Sequence, residues 1–379
     1  MPLYMRVLQP LAKLPGAGLA EARLVQTSDD APAYWTTELG KHLLRYSSTN
    51  FMDITSFPSL SPSSWQAAEG DSLSVLSSEP SFPSKPSHSK QLQAVFANVT
   101  EAGPRKNLEG FTSFRNRYYK SETGKQSQQW LLKLIKSVVE DVDYISVREH
   151  THSWGQNSII LRVAGSQAAA AAQKKSPEVA AILGAHLDST HMIPFFAAPG
   201  ADDDGSGSVT LIEALRALLS QGWQPERNVE FHWYSAEEGG LLGSQEVAQS
   251  YASKGVTVGA MLQQDMTAFV KPGTQPRVGM VADFVSEPLT AFIQTLVEEY
   301  LEIPPVPTKL GYAGSDHASW TKIGVPSAFA IEATFEDSNL KNIHTGNDRM
   351  DIEGFSFEHL VQFVRLSSAF AVELGGWAK

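Results

Sequence analysis

The spacing of apolar residues predicts alternating strands and helices from about residue 130 to the carboxyl terminus. Short apolar runs are separated by longer stretches in which apolar residues recur every three or four positions, the period of an amphipathic helix. The predicted strands are Ser158–Val163 and its neighbour Val179–Leu187, then Val229–Ser235, Thr257–Gln264 and Ser327–Ile331. The predicted helices are Trp130–Val139, Gly205–Leu219, Leu241–Ser253, Pro288–Leu301 and Phe357–Leu374. This order is typical of an α/β fold in which helices sandwich a mostly parallel, mixed and twisted sheet.

The amino-terminal part of the chain has a different pattern. Residues 1–55 contain one predicted strand, Ala22–Gln26, and one predicted helix, Thr36–Arg45, which is too little to form a robust domain alone. The stretch Ser56–Lys90 is dense in Ser and Pro, which indicates a linker or an extended arm. The alanine-rich tract Gly165–Lys175 is predicted to be an exposed loop.

Composition narrows the possible functions. The chain has 379 residues, of which 42% are hydrophobic and 19% are charged, and its net charge is −11. An acidic chain with no basic run is a poor match for nucleic acid, which requires clustered Lys and Arg. No apolar run reaches the roughly 18 residues that a membrane helix needs. The absence of cysteine excludes disulfides, thiolate metal ligands and a cysteine nucleophile.

A histidine and three aspartates lie where a predicted strand gives way to a predicted helix. His186 ends the strand, and Asp202, Asp203 and Asp204 precede the helix. Imidazole and carboxylate are ligands of zinc and similar ions. Asp204 is placed to cap the helix, but three adjacent carboxylates repel one another unless a cation lies among them, and Asp203 is the candidate bridging ligand. Asp188, two residues beyond His186, is placed to hydrogen-bond its imidazole. Taken alone, the three acids would also fit a solvated turn.

Further candidate ligands follow other predicted strands. Glu237 and Glu238 are adjacent, so their side chains point in different directions. We therefore assign Glu238 as a metal ligand and Glu237 as a general base, which must lie near the reacting water without being a ligand. Asp265 follows a largely apolar strand, and His344 lies in a polar loop. Ligands bind beyond the carboxyl ends of strands in such sheets, so these residues are expected to meet there.

The loop Gly311–Trp320 is rich in small and polar residues. The Tyr312 hydroxyl is placed to stabilise a developing oxyanion. Ser315 is a candidate to support a metal ligand, whereas His317 is better explained as a structural histidine.

These motifs together resemble those of the M28 metallopeptidases, above all the leucyl aminopeptidases secreted by bacteria and fungi. The matching motifs are Gly184-Ala-His-Leu-Asp-Ser189, Pro199-Gly-Ala-Asp-Asp-Asp204, Ala236-Glu-Glu-Gly-Gly-Leu-Leu-Gly-Ser244, Gln264-Asp-Met-Thr267, the Gly311–Trp320 loop and Ile343-His-Thr345. They occur in the family's order, and the resemblance extends from about Leu108 to the carboxyl terminus.

The resemblance implies a site with two zinc ions per chain. The implied ligands are His186, Asp203, Glu238, Asp265 and His344. Asp203 would bridge the two ions, Glu237 would be the general base and Tyr312 an oxyanion donor. Asp188 and Ser315 would support the ligands.

The resemblance also implies the substrate, which is the amino-terminal residue of a peptide or protein. The implied side-chain pocket is apolar and favours Leu or another large apolar residue. Its members are Met266, Val281, Leu310, Phe329, Ile331, Phe335 and Ile343. We expect a monomer with neither a nucleic-acid nor a membrane partner.

The amino-terminal motifs resemble the propeptide of fungal leucine aminopeptidases. They are Leu24-Val-Gln-Thr27, Tyr34-Trp-Thr-Thr-Glu38 and Asn50-Phe-Met-Asp-Ile-Thr55. This implies that residues 1–86 are a prosegment with its linker and that residues 87–379 are the catalytic domain of a secreted zymogen. The sequon at Asn98 is the candidate glycosylation site.

Two features depart from the family pattern. Relatives often carry a cysteine pair flanking the Tyr312 loop, where this chain has Leu310 and Gly314, so packing must hold the loop. The first twenty residues also form only a weak secretory signal, since Pro10, Lys13 and Pro15 interrupt the apolar run.

Three other functions fit parts of the pattern. A glutaminyl cyclase shares the implied fold but uses one zinc ion, and the complete ligand set argues against it. A carboxypeptidase needs basic residues to hold the substrate carboxylate, and none is embedded in the motifs. A non-catalytic binding module is expected to lack a ligand or the base, and none is missing here.

Overall fold

A computed structural model describes residues 18–28, 31–60, 81–166, 178–193 and 196–378 of the chain. Most of the Ser- and Pro-rich linker and most of the Gly165–Lys175 loop lie outside these ranges, so those two predictions stay untested. Within the described ranges, the helices are all too short or too polar to cross a membrane.

The described strands form a large mixed sheet and two small sheets. The strands are β1 Ala22–Gln26, β2 Tyr34–Thr37, β3 Met52–Asp53, β4 Ile145–His150, β5 Ser158–Val163, β6 Glu178–Val179, β7 Ala181–His186, β8 Val229–Tyr234, β9 Thr257–Val258, β10 Met261–Gln264, β11 Val278–Val281, β12 Pro305–Thr308 and β13 Ser327–Ile331. The large sheet has eight strands in the order β12-β11-β13-β10-β7-β8-β5-β4. Its central strands β8, β7, β10 and β13 are parallel, while β5 and β4 add antiparallel pairs at one edge.

Helices cover both faces of the large sheet. They are α1 Glu38–Tyr46, α2 Ser89–Phe96, α3 Ala102–Phe111, α4 Glu122–Val138, α5 Gly207–Ser220, α6 Leu242–Ser253, α7 Glu287–Tyr300, α8 His317–Thr321 and α9 Phe357–Gly375. Alternate residues of β7 face opposite layers: Leu183 packs in the cluster with α5, α7 and α9, whereas Ile182 packs in the cluster with α6 and α8. The strand is therefore buried on both sides and almost entirely apolar, as expected of a central parallel strand. The predicted α/β fold is confirmed.

Several predicted elements need correction. The strands Ser158–Val163 and Val179–Leu187 are not neighbours in the sheet, because β8 lies between them. The predicted strands Val179–Leu187 and Thr257–Gln264 each break in two, and their first pieces pair with each other as a separate two-stranded sheet. A side chain at Gly259 would meet the carbonyl of Ala180 at 2.7 Å, so the close approach between these breaks needs glycine.

The predicted helix Gly205–Leu219 begins two residues later than expected. Residues Ala201–Ser206 form a wider helical turn, and Asp203 and Asp204 within it have non-helical backbone angles. The Asp204 carboxylate accepts a 2.8 Å hydrogen bond from the Gly207 amide, so it caps α5 at its actual start. This turn places the Asp203 side chain next to the end of β7.

The amino-terminal segment packs onto the main domain. Strands β2, β1 and β3 form a three-stranded antiparallel sheet beside α1. The Asp53 amide donates to the Gly240 carbonyl at 3.0 Å, just beyond the Glu237-Glu238 pair. Met52 and Ile54 are buried in an apolar cluster with Leu241. The segment therefore lies over the loops at the carboxyl ends of the central strands.

Candidate metal centre

The candidate ligands converge at one edge of the central sheet. His186 is the last residue of β7, Asp265 follows β10 and Glu238 lies in the turn after β8. These three strands are parallel neighbours, so their carboxyl ends meet on the same side. His344 and Asp203 approach from two loops to complete the set.

A first group of ligands surrounds one oxygen of Asp203. His186 Nε2 lies 3.0 Å from Asp203 Oδ1 and 3.6 Å from Asp265 Oδ1. His186 Nδ1 lies 3.1 Å from the backbone carbonyl of Asp188, an orientation that leaves Nε2 directed at the carboxylates. These three side chains offer one nitrogen and two oxygens that all lie within 4.8 Å of one another.

A second group surrounds the other oxygen of Asp203. His344 Nε2 lies 3.0 Å from Asp203 Oδ2 and 3.1 Å from Glu238 Oε2. The ligand atoms of this group also lie within 4.8 Å of one another. Asp203 therefore belongs to both groups and presents one oxygen to each, which is the geometry expected of a bridging carboxylate.

The donor set fits divalent metal ions better than it fits protein hydrogen bonds alone. Asp265 is 5% exposed, and its Oδ1 has no hydrogen-bond partner within the described residues. A buried carboxylate oxygen without a partner is costly unless a cation compensates it. One imidazole and two carboxylates in each group match the ligands that zinc accepts.

The electrostatic interactions within the cluster also favour a bound metal ion. Burial opposes a charged His344, but Glu238 and Asp203 outweigh it and raise the pKa of His344 to about 10. For Asp203, burial favours the neutral carboxyl, but hydrogen bonds with His186 and His344 hold its pKa well below the ordinary value. The field that keeps a proton on His344 also favours a metal ion, which would displace that proton.

Surrounding groups hold the ligands in place. Asp188 accepts the backbone amides of Glu237 and Glu238 at 3.0 and 3.3 Å, so it orients the turn after β8 as well as contacting His186. Ser315 donates a 2.5 Å hydrogen bond to Asp265 Oδ2.

Two buried residues that support the ligands were not predicted from the sequence. Asp348 accepts the amides of Asp202 and Asp203, both at 3.0 Å. Arg117 is fully buried and donates to the carbonyls of Leu187 and Gly200, both at 3.0 Å. Neither residue lies in a recognisable motif, so local sequence carried no signal for them.

Glu237 lies beside the ligands but is not held by them. It lines the cavity next to Asp203 and Glu238, and no described residue donates a hydrogen bond to its carboxylate. Burial raises the pKa of Glu237 well above its ordinary value, His186 opposes this, and Asp316 adds to it. A carboxylate that has a raised pKa and receives no hydrogen bond from the described residues is suited to accept and return a proton.

A cavity of about 370 Å³ opens beside the ligands. Six of the seven predicted pocket residues line it, namely Met266, Leu310, Phe329, Ile331, Phe335 and Ile343. Val281 is not on the wall; it is buried behind it, in one apolar cluster with Met266 and Phe329. Tyr312 lies on the wall, its ring 6.2 Å from that of Phe335. Burial raises the pKa of Tyr312, so its hydroxyl remains a hydrogen-bond donor.

Four residues of the amino-terminal segment also line this cavity: Arg45, Ser48, Asn50 and Phe51. Asn50 lies on the same cavity wall as Tyr312. Sequence reasoning assigned the segment as a whole but not these four positions, because their role depends on how the segment docks.

Comparisons with known proteins agree with the family resemblance of the motifs. The model of peptidase family M28 matches residues 168–367. Leucine aminopeptidase 1 of Sclerotinia sclerotiorum is 43% identical over 368 residues, which cover 93% of this chain and 89% of that protein. The crystal structure of the LapA aminopeptidase of Legionella pneumophila aligns with a TM-score of 0.78 at 25% identity, covering 94% of this chain and 99% of that one. The family resemblance indicated by the motifs is confirmed.

The glutaminyl cyclase of Porphyromonas gingivalis has a more distant likeness. Its structure aligns with a TM-score of 0.55 at 18% identity, covering 72% of this chain and 96% of that one. At this identity the likeness concerns the fold alone.

Proposed function

Because the chain belongs to peptidase family M28, we propose that it is a zinc aminopeptidase that removes leucine and other large apolar residues from the amino termini of peptides. The observation that carries the proposal is the placement of Asp203, whose two oxygens face separate ligand groups on the wall of an apolar cavity. The extensive identity to a fungal leucine aminopeptidase supports it.

The side chains around the cavity suit peptide hydrolysis. His186, Asp203, Glu238, Asp265 and His344 would hold two zinc ions, which supply Lewis acidity that polarises a carbonyl and lowers the pKa of water. Glu237 accepts the proton of the attacking water and returns it to the leaving amine. The Tyr312 hydroxyl donates to the oxygen of the scissile carbonyl as that oxygen gains charge.

The charge of the cavity selects the end of the peptide that binds. Asp203, Glu237, Glu238 and Asp265 line it, and in the described part of the main domain no Lys or Arg does so. A substrate carboxyl terminus would find no Lys or Arg of the described main domain to bind it there, whereas the amino group of a free amino terminus is a nitrogen ligand that a zinc ion accepts. The cavity therefore favours an aminopeptidase over a carboxypeptidase. The apolar wall accepts the side chain of the terminal residue.

The alternative within the same fold is a glutaminyl cyclase with a single zinc ion. The second ligand group, Asp203, Glu238 and His344, supports the two-zinc peptidase instead. The peptidase is expected to hold two metal ions in this cleft and the cyclase one, measured as the metal content lost when His186 and His344 are both replaced by alanine.

We expect the chain, once cut near residue 86, to hydrolyse leucine p-nitroanilide. A chelator should abolish this hydrolysis and zinc should restore it, since the five ligands contribute to activity through the metal. A parallel assay with glutamine-initiated peptides monitors cyclisation. If the zinc-loaded, cut chain cyclises glutamine and releases no nitroaniline, the peptidase assignment is wrong.

We further propose that residues 1–86 are a prosegment that keeps the domain of residues 87–379 latent. Lys322 of the main domain donates a 2.6 Å hydrogen bond to the Leu60 carbonyl, and Lys120 lies 2.8 Å from Glu38. The Gln245 side chain donates to the Asp53 carbonyl at 3.0 Å. Such polar contacts, added to the apolar cluster around Met52, would hold the segment over the cleft while the intact linker keeps it tethered.

The segment also occupies space that substrate would need. Asn50 shares the cavity wall with Tyr312, so the segment takes up space beside the candidate oxyanion donor. Arg45 is buried on the cavity wall together with Glu238, so a cation stands near the place where a substrate amino group would bind.

We expect the uncut N50A variant to show a severalfold higher residual activity than the uncut wild type. Loss of the Asn50 side chain removes contacts of the docked segment at the cavity wall and should weaken docking by about 1 kcal/mol, which is roughly a fivefold change in the population of the open state. The W35A variant is the matched control, because Trp35 is in the same segment but 64% exposed. Leucine p-nitroanilide hydrolysis by uncut chains checks this. Equal activity of uncut and cut wild-type chains would contradict latency.

Secretion and a monomeric state remain part of the proposal. Asn98 is exposed just beyond α2, so an attached glycan would meet no obstacle from the fold. Glycan release followed by mass measurement tests the Asn98 assignment.

A further inference from the structure

A second cluster of metal-ligand side chains lies at the edge of the large sheet. His150 ends the edge strand β4, His152 lies two residues beyond it, and Glu246 is on helix α6. Their ligand atoms all lie within 4.8 Å of one another, as do those of each ligand group in the cleft. None of the three residues lines the cavity. This edge cluster (His150, His152 and Glu246) is therefore separate from the catalytic site.

His152 is held in a fixed orientation. It is 5% exposed, and its ring stacks on Trp154 with the centroids 4.4 Å apart. Its Nδ1 lies 2.5 Å from Glu246 Oε2 and its Nε2 lies 2.7 Å from Ser158 Oγ. Metal-binding histidines typically pair one ring nitrogen with the ion and donate the other to an oxygen, which is the role Ser158 can fill.

His150 is the third member of the edge cluster and takes no part in the His152–Glu246 pair. Its ring centroid lies 5.0 Å from that of His152, and no described residue hydrogen-bonds its imidazole. His150 is half-buried and can bond water on its own, but together the two imidazoles and the carboxylate also form a set of three ligands for a metal.

We propose that His150, His152 and Glu246 bind a divalent transition-metal ion of the zinc class, with water completing the coordination. Two nitrogens and one carboxylate oxygen are the donor set that zinc accepts. The ion joins the end of edge strand β4 to helix α6 in a chain that has no cysteine and hence no disulfide. It acts as a structural cross-link.

Hydrogen bonds also connect this cross-link to the turn that contains Glu237. Ser158 Oγ, the partner of His152, accepts the Ser235 amide at 3.0 Å. Ser235 follows β8 and precedes Glu237 by two residues. The ion therefore braces the strand that carries the general base without touching substrate.

The test is the zinc content of the full-length chain after dialysis against buffered free zinc. We expect the wild type to retain one more zinc ion per chain than H150A and E246Q. H88A is the matched control, because His88 also pairs with a glutamate, Glu373, but lacks a second imidazole. The difference between wild type and variant isolates the edge cluster whatever number of ions the cleft holds, so this result is independent of the proposed function.

Cobalt absorption and thermal unfolding give further readouts. E246Q can keep its hydrogen bond to His152, so it should fold even if H150A does not. Zinc added after the cleft is saturated should raise the Tm of the wild type by at least about 2 °C and leave that of E246Q unchanged. Equal zinc content in wild type and E246Q, together with equal thermal shifts, would overturn the proposal.

Discussion

Replacing Glu237 by glutamine is expected to lower kcat for leucine p-nitroanilide by about 10²–10⁴-fold, the contribution typical of a general base. Glutamine keeps the size of the side chain but cannot accept a proton. Because Glu237 is not in either ligand group, the metal content of the E237Q variant should equal that of the wild type. Steady-state kinetics and metal analysis on the same preparation check both parts.

Glu238, the next residue along the chain, provides the comparison that tests the E237Q prediction. Glu238 lies 3.1 Å from His344 Nε2, so E238Q should lose metal together with activity. E353Q, at an exposed position, should change neither. An E237Q enzyme with normal kcat would show that Glu237 is not the base. A loss of metal from E237Q would instead make it a ligand.

The D203N variant is expected to show the largest loss of metal of any single substitution in the cleft. Asp203 is the one residue that the two ligand groups share, so the change affects both groups at once. Mutation of a residue that only supports a ligand lowers metal affinity by roughly 10–100-fold. Removal of the bridging carboxylate should therefore lower metal affinity by more than about 100-fold. Competition with a chromogenic chelator measures the affinity, and hydrolysis should fall in parallel.

D141N is the control for this second prediction, because Asp141 is exposed and lies outside both ligand groups. A thermal unfolding scan of D203N separates loss of metal from loss of fold. If D203N folds and binds both ions with wild-type affinity, Asp203 is not a bridging ligand. If it loses only one ion, Asp203 belongs to a single site.

Much of the candidate site could be predicted from short stretches of sequence. The apolar run before His186 and the acidic turn before α5 predict a strand end followed by a helix start, and both are found there. Such patterns are informative because burial on a strand or a helix repeats with a fixed local period. The choice between Glu237 and Glu238 also followed from local geometry, since adjacent side chains diverge. The structure places Glu238 next to His344 and leaves Glu237 unpaired.

Other features depended on long-range packing. The chain order of strands suggested that β5 and β7 are neighbours, but β8 is inserted between them. The edge strand β4 and the pair β11 and β12 were not predicted, because these strands are short or partly exposed and lack a continuous apolar run. Val281 shares the composition of the pocket residues, and only the fold shows that it lies behind the wall.

The sequence by itself determined the types of ligand, their positions at strand ends and the family to which the chain belongs. The tertiary structure decided that Asp203 presents one oxygen to each ligand group, that residues of the amino-terminal segment line the cavity and that His150 and His152 meet Glu246. The physical reason is that side-chain periodicity records which residues are buried, whereas contacts between distant segments are set by strand order, loop paths and docking of whole elements. Those arrangements depend on the free energy of the entire fold, and no short stretch of sequence encodes them.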